Sequence, residues 1–174
     1  EVQQDHPGDC PKCGMALEAQ QVSLVREDSE YRDMRRRFWV ALFFSAPVVL
    51  GAMVEMLTGH ARAPLLSARA AVWAQLFLTA PVVLWAGWPF FERGWASLRT
   101  RNLNMFTLIA MGTGIAWIYS VVGTLSPSLF PASMRGADGA VAIYFEAAAV
   151  ITVLVLLGQV LELQARERTS GAIK

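Results

Sequence analysis

The chain has 174 residues, of which 55% are hydrophobic and 17% charged, and its mean hydropathy is +0.40. This composition, gathered into long apolar runs, excludes a soluble domain and indicates an integral membrane protein. The net charge of only +1 gives no indication of a nucleic-acid partner. The two cysteines, Cys10 and Cys13, are too close in sequence to join distant parts of the chain, and the polar N-terminal segment is unlike a cleavable signal peptide.

Four apolar runs are long enough to cross a bilayer as helices, and none of them alternates as a barrel strand would. They lie at about 38–57, 72–91, 103–125 and 140–163. We therefore expect an all-α membrane protein with four transmembrane helices and a small cytoplasmic N-terminal metal-binding segment. On one side of this arrangement the loops carry only Arg62, Arg69 and Arg135, which leaves twelve of the fifteen basic residues on the other side. The positive-inside rule then predicts that both termini are cytoplasmic.

The second span ends in a predicted bend. Gly87 and Pro89 both weaken helical hydrogen bonding there. Beyond the bend, large apolar side chains follow the spacing of one helical face: Trp88, Phe91, Trp95 and Leu98. The spacing predicts an amphipathic helix in the membrane interface, with its basic side toward the cytosol. Such a helix is either a membrane anchor or a platform where a partner delivers cargo, and the basic residues open to a partner are Arg93, Arg99 and Arg101.

The N-terminal segment contains a pair of thiols separated by two residues. Cys10 and Cys13 can hold one metal ion from a tight turn, and Met15 beside them favours Cu(I), whereas His6 would suit zinc equally well. Structural zinc needs four ligands, so the alternative interpretation is half of a zinc knuckle. The spacing therefore predicts metal binding or redox chemistry within residues 1–20, and we interpret the residues from 21 to 37 as a cytoplasmic linker.

Two glutamates, Glu146 and Glu162, lie near opposite ends of the fourth span. Ionisable residues inside a span are costly and therefore mark candidate ion paths. Met105 lies about one turn inside the third span, at the same depth as Glu162, so a thioether and a carboxylate could meet there on neighbouring helices. Each residue alone has a simpler explanation, since Met105 suits packing or lipid contact and Glu162 suits the interface beside Arg166.

These motifs together resemble the copper-transporting branch of the heavy-metal (type IB) P-type ATPases. The resemblance covers the whole chain and is carried by Asn102-Leu103-Asn104-Met105-Phe106-Thr107, by Tyr144-Phe145-Glu146, by Gly158-Gln159-Val160-Leu161-Glu162 and by Gly87-Trp88-Pro89-Phe90. It implies that residues 1–20 are a heavy-metal-binding element, truncated as it stands, and that 38–101 holds two family-specific helices and the platform. It further implies that 102–165 holds the first two helices of the transport core and that 166–174 begins the stalk of an actuator domain.

The resemblance also implies roles for individual residues. Met105 and Glu162 would form the site where Cu(I) enters from the cytoplasm, and Glu146 would help to release the ion outward. The platform, bent at Gly87 and Pro89, would receive a copper chaperone or an N-terminal metal-binding domain. The protein would lie in a bacterial inner membrane, with the lipid bilayer and the remaining pump domains as its other partners.

The Asp-Lys-Thr-Gly, Thr-Gly-Glu and Cys-Pro-Cys motifs of these pumps do not occur in this sequence. We therefore expect an N-terminal fragment that contains no catalytic residue and cannot hydrolyse ATP alone, while ATP and Mg²⁺ would bind only in the intact parent protein. Two alternatives stay open. One is a stand-alone membrane protein that binds or relays metal, and the other is a fragment of a Zn(II) or Cd(II) pump.

Overall fold

The computed structural model describes residues 24–58, 68–101, 103–135 and 141–172, and most of these residues are helical. The five helices are α1 (Leu24–Thr58), α2 (Ala68–Ala80), α3 (Trp88–Arg99), α4 (Met105–Leu125) and α5 (Phe145–Ala172). A π-helical segment, Pro81–Ala86, prolongs α2, and two 3₁₀ turns, Pro127–Leu129 and Ala132–Met134, follow α4. Within these ranges the only β pairing is an isolated bridge between Arg135 and Val141, so the predicted all-α fold is confirmed.

Among the described residues, three helical stretches are long and apolar enough to cross a membrane: Ser29–Val54, Met105–Leu125 and Phe145–Arg166. Ala70–Ala86 and Trp88–Arg99 make a fourth crossing if they are taken as one broken span, with a bend of 55° between them. The four predicted spans thus correspond to three continuous helices and one broken helix. This is the architecture of an integral membrane protein.

Helix α1 is longer than the span that the sequence predicts. It runs for 35 residues without a break, so the segment interpreted as a linker is helical from Leu24 onward. One face of α1 is buried at positions with helical spacing, namely Met34, Ala41, Ser45 and Val48. Helix α1 packs along α5, and Tyr31 and Met34 of α1 lie in one apolar cluster with Val160 and Leu163 of α5.

Small side chains hold the core of α5 close to its neighbours. Ala148, Ala149 and Leu156 are completely buried, as is Phe145 at the start of the helix. Between membrane helices, alanine and glycine allow close backbone approach, and this packing replaces much of the hydrophobic driving force that lipid removes. Large apolar side chains such as Phe77 instead point outward, as expected of a surface that meets acyl chains.

The bend between α2 and α3 is centred on Gly87. Its N–H donates to the carbonyl oxygen of Val82 at 2.9 Å, which is the five-residue spacing of a π-helical turn. A Cβ atom at Gly87 would lie 2.7 Å from the carbonyl oxygen of Val83 and 3.3 Å from Cγ2 of Thr152 on α5. Glycine is therefore required at this position mainly because the bent backbone brings the Val83 carbonyl oxygen too close for a Cβ atom, while Thr152 of α5 narrows the space further.

Pro89 removes one backbone hydrogen bond at the bend. It has no N–H to give to the carbonyl oxygen of Trp85 four residues earlier. Arg37 of α1 donates from Nη1 to that oxygen at 2.6 Å, and its guanidinium carbon lies 5.0 Å from the centroid of the Trp85 ring. Asp33, one turn earlier on α1, accepts from Arg37 Nε at 2.7 Å and orients the side chain. Helix α1 thus replaces the hydrogen bond that Pro89 removes.

Helix α3, called the platform below, packs directly on α4. A Cβ atom at Gly94 would lie 2.9 Å from Cβ of Ala110 and 2.9 Å from the carbonyl oxygen of Phe106, so the two backbones are in near contact. Phe90 stacks on Phe106 with ring centroids 6.0 Å apart. Three residues of the predicted apolar face of the platform are exposed, Trp88, Trp95 and Leu98. Phe91 is instead half-buried, with its ring against Gly114 of α4.

Candidate functional site

Side-chain hydrogen bonds close the turn between the platform and α4. Asn104 is the N-cap of α4, and its Oδ1 accepts from the backbone N–H of Thr107 at 3.1 Å. The Thr107 hydroxyl donates to Oγ of Ser97 at 2.8 Å, and the Asn104 N–H donates to the same oxygen at 3.1 Å. Ser97 is completely buried. Because Met105 directly follows Asn104, this network fixes the backbone that presents the methionine.

Met105 is the first residue of α4, and its side chain is 57% exposed. Its neighbour Phe106 is buried against the platform and anchors the first turn of the helix. Met105 is therefore available at the surface, while its backbone is held by the hydrogen bonds of Asn104 on one side and by the packing of Phe106 on the other. This combination suits a ligand that must be reached by an incoming ion.

Both carboxylate oxygens of Glu162 accept hydrogen bonds from side chains on α5. Arg166 Nη2 donates to Oε1 at 2.7 Å, and Gln159 Nε2 donates to Oε2 at 3.1 Å. The Glu162 side chain remains 47% exposed. Each carboxylate oxygen has a second lone-pair direction, so the group can still bind a cation while both donors stay in place.

The structure corrects the expectation that Arg93 lies on a free basic face toward the cytosol. Its side chain is only 13% exposed. Nη1 donates to Oε1 of Gln159 at 3.0 Å, Nη2 donates to Oε1 of Glu30 at 3.1 Å, and the guanidinium carbon lies 5.3 Å from the centroid of the Phe106 ring. The side chain of Arg93 points inward because α1, α4 and α5 each supply a partner, and these partners take the place of the water that would otherwise solvate the guanidinium group.

Arg93 contacts a neighbour of each of the two predicted ligands, Met105 and Glu162. Arg93 covers the ring of Phe106, the neighbour of Met105, and it bonds to Gln159, which bonds to Glu162. In the described part of the chain, no three His, Cys, Asp or Glu side chains converge into a metal-binding group. The two predicted ligands would offer one soft thioether sulfur and one hard carboxylate, an incomplete set suited to brief residence of a cation.

The remaining platform residues divide between the bend and the far end of the helix. Gly87 and Pro89 lie in the bend, as predicted. Arg99 and Arg101 are exposed where the platform ends. Arg101 has a φ angle of 57°, the left-handed conformation that usually follows a helix C-terminus and that glycine adopts at least cost.

Glu146 lies in the first turn of α5 and is half-buried. The backbone beside it is held by Ser120, whose Oγ accepts from the N–H of Tyr144 at 2.7 Å, and by the complete burial of Phe145. Within the ranges that the structure covers, the Glu146 carboxylate forms no ion pair or hydrogen bond. Its position at a helix N-terminus favours the negative charge.

Comparison with known proteins relates this geometry to a family. The chain is 59% identical over its whole length to a copper-exporting P-type ATPase of Legionella pneumophila subsp. pneumophila, of which it covers 23%. It is 59% identical over 99% of its length to a silver exporting P-type ATPase of Salmonella typhimurium, of which it covers 21%. A copper-transporting P-type ATPase of Rhizobium leguminosarum bv. viciae is 51% identical over the whole chain, which covers 21% of that protein. This chain belongs to the P-type ATPase family.

The chain spans about a fifth of the length of these P-type ATPases. The family described as "Heavy metal binding domain" matches residues 1–20, which are the bounds that the sequence predicts for the metal-binding element. Cys10 and Cys13 lie in this segment, outside the described residues, so their role as metal ligands stays a prediction.

Sequence reasoning missed four residues that hold this part of the P-type ATPase together: Glu30, Arg37, Ser97 and Gln159. Gln159 carried a usable signal, because a polar amide three residues before Glu162 lies on the same helical face of an otherwise apolar run. Glu30 and Arg37 carried none, because their partners are far away in sequence and become neighbours only when α1 packs on the bend and on α5.

Proposed function

We propose that this chain forms the part of an ATP-driven Cu(I) export pump where copper enters from the cytoplasm. The observation that carries the proposal is the identity of 51% to 59%, along the whole chain, with P-type ATPases named for copper or silver. Cu(I) and Ag(I) are both soft monovalent cations, and a methionine thioether suits both. These names favour copper over the alternative of a Zn(II) or Cd(II) pump, and the family relationship favours a pump over a stand-alone metal relay.

In this proposal the end of the bundle that carries Met105 faces the cytoplasm of a bacterial inner membrane, with both termini on that side. The exposed arginines at this end, Arg35, Arg36, Arg99 and Arg101, support the orientation. At the opposite end the described residues include only two arginines, Arg69 and Arg135. The distribution agrees with the positive-inside rule for a chain that crosses four times.

The platform receives the carrier of the ion in this mechanism. A copper chaperone or an N-terminal metal-binding domain with an acidic surface approaches Arg99 and Arg101, whose side chains are exposed at the end of α3. The outward aromatic face keeps the platform in the interface. Arg93 does not take part in docking in this account, because its charge is already balanced inside the protein.

Cu(I) then passes to Met105 and Glu162. The thioether supplies a soft, neutral ligand, and the carboxylate supplies the negative charge that compensates the cation. Two protein ligands hold the ion loosely enough to let it move on. ATP and Mg²⁺ bind in domains beyond this chain and supply the phosphorylation that drives transport, and the ion leaves past Glu146.

The test uses the complete gene product in membrane vesicles and measures ATP hydrolysis stimulated by Cu(I). We expect Met105→Ala to reduce the stimulated rate about tenfold, the size typical of a damaged metal site. Met111→Ala is the matched control, because Met111 lies on the same helix and is 54% exposed. Equal rates for the two variants would contradict the proposed role of Met105. A reading frame that stops shortly after codon 174 would exclude ATP-driven transport and leave the metal relay.

A further inference from the structure

We infer that Arg93 and Gln159 are positioning residues for Glu162, and that through them the platform sets the geometry of the carboxylate that receives the ion. The inference rests on the proposed function, since it takes Glu162 as a ligand of Cu(I). It starts from the chain of contacts that runs from Glu30 through Arg93 and Gln159 to Glu162.

Arg93 determines which way the Gln159 amide points. A guanidinium group has only N–H donors, so it can bond to Gln159 only through the amide oxygen. The amide nitrogen must then face Glu162, where it donates to Oε2. The opposite orientation would bring N–H against N–H at Arg93 and oxygen against oxygen at Glu162. The arginine therefore turns Gln159 into a donor for the carboxylate.

Gln159 and Arg166 together fix the plane of the Glu162 carboxylate. One donor holds each oxygen, so the free lone pairs point in defined directions. Hydrogen-bonding partners of metal ligands generally orient them, and losing such a partner typically weakens metal binding by about 10- to 100-fold. Glu162 is 47% exposed, so solvent replaces part of the lost interaction and we expect the lower end of that range.

Arg93 belongs to the platform, and its other nitrogen is held by Glu30 of α1. The planar guanidinium group bridges two acceptors at once, on α1 and α5, while its face lies on Phe106 of α4. A lysine offers a single nitrogen and cannot span the same two acceptors with the same geometry. A shift of the platform would therefore change the position of Glu162 through Arg93 and Gln159, although Arg93 does not bond to Glu162 itself.

The experiment measures Cu(I) affinity of the full chain in lipid nanodiscs, with Cys10→Ser and Cys13→Ser introduced so that the N-terminal thiols do not compete. Cu(I) is titrated without oxygen against a chromophoric chelator, bicinchoninate. We expect Gln159→Leu to bind Cu(I) about tenfold more weakly. The matched control is Gln164→Leu, because Gln164 is a half-buried glutamine on the same helix that forms no hydrogen bond to another described residue, and it leaves the affinity unchanged.

Arg93→Lys supplies the conservative comparison. We expect it to weaken binding about threefold, because the charge is kept while the bridge is lost. Combining Arg93→Lys with Gln159→Leu produces no further loss beyond that of Gln159→Leu, because both changes act through the same hydrogen bond to Glu162. Arg35→Lys, at an exposed position of α1, is the control for the arginine change.

Thermal midpoints separate positioning from a purely structural role. A structural role lowers the midpoint and leaves the affinity of the folded protein unchanged, which would overturn the inference, as would unchanged or tighter binding in Gln159→Leu. If Gln159→Leu does not fold, the Cu(I) affinities of Arg93→Lys and Arg35→Lys test the inference in its place. Equal affinities for these two variants would overturn it.

Glu162→Gln and Met105→Ala serve as references in the same titration. If both bind Cu(I) as the parent chain does, the proposed site itself fails. If both are weakened while Gln159→Leu is not, only the positioning role fails.

Discussion

The two ends of the α4–α5 pair hold their acids in different ways. Glu162 accepts hydrogen bonds on both oxygens, and its partner Gln159 is in turn bound by a nearly buried arginine. Glu146, about 24 Å away along the helix, makes no such bond with any residue that the structure describes. The same end of the helix pair carries an aromatic cluster, in which the ring centroid of Tyr119 lies 5.2 Å from that of Phe130 and 5.8 Å from that of Tyr144.

This difference suits opposite tasks in the proposed pump. A site that accepts an ion from a carrier benefits from a ligand held ready in one geometry, because less conformational freedom is lost on binding. A site that releases the ion benefits from a ligand without fixed geometry, because binding there is weaker. Among the described residues, the hydrogen-bonded carboxylate of Glu162 and the carboxylate of Glu146 without such bonds therefore distinguish the two ends of the helix pair.

The largest expected effect comes from a methyl group added to a glycine at each end. In Gly94→Ala the new Cβ would lie 2.9 Å from Ala110 Cβ and from a backbone oxygen, so we expect a loss of about 2 kcal/mol from overpacking. In Gly123→Ala the nearest atom lies at 3.5 Å, so we expect a neutral change or a gain of up to about 1 kcal/mol from helix propensity. Unfolding in mixed micelles measures the free energy of unfolding of both variants. Equal losses in Gly94→Ala and Gly123→Ala would contradict the claim that the helices approach more closely at the Met105 end.

A smaller effect is expected from replacing one threonine hydroxyl by a methyl group at each end. Thr107→Val removes a buried hydrogen bond to Ser97, and we expect the free energy of unfolding to fall by about 1.5 kcal/mol. Thr124 only donates to the carbonyl oxygen of Ser120 within its own helix, so Thr124→Val should change stability by less than about 0.5 kcal/mol. The same unfolding measurement applies. A Thr124→Val loss as large as that of Thr107→Val would show that the polar network gives the Met105 end no special stability.

The smallest expected effect concerns strain at the Met105 end. Arg101 has a φ angle of 57°, so Arg101→Gly should raise the free energy of unfolding by about 0.5 kcal/mol, after the entropy of glycine in the unfolded chain is deducted. Arg99→Gly is the control, because Arg99 ends the helix itself and glycine there should destabilise by about 1 kcal/mol. A loss of stability in Arg101→Gly would show that the turn is not strained.

Much of the fold follows from composition and local sequence. Apolar run length predicts the spans, because a helix must cross a fixed thickness of hydrocarbon. Gly87 and Pro89 predict the bend, because their effects are local to the backbone. The helical extension of α1 toward Leu24 could not be predicted in this way, because its polar residues have partners far away in sequence. Glu30 accepts from Arg93 of the platform, and Arg37 donates to the carbonyl oxygen of Trp85.

The candidate site was only partly predictable. Equal depth in the membrane predicted that Met105 and Glu162 lie at the same end of the helix pair. At that end Arg93 of the platform contacts Phe106, the neighbour of Met105, and Gln159, which bonds to Glu162. The inward direction of Arg93 could not be foreseen, because helical periodicity assigns a residue to a face but does not tell which neighbouring helix covers that face. The acceptors Glu30 and Gln159 decide it, and both lie more than sixty positions away in sequence.

The most direct test of the account is X-ray absorption at the copper edge of the Cu(I)-loaded chain in nanodiscs, with Cys10→Ser and Cys13→Ser in place. The account predicts sulfur and oxygen neighbours around copper, with the sulfur signal lost in Met105→Ala and the oxygen signal reduced in Glu162→Gln. Met111→Ala should leave both signals unchanged. A sulfur signal that persists in Met105→Ala, or that disappears equally in Met111→Ala, would contradict the claim that Met105 and Glu162 receive the ion together.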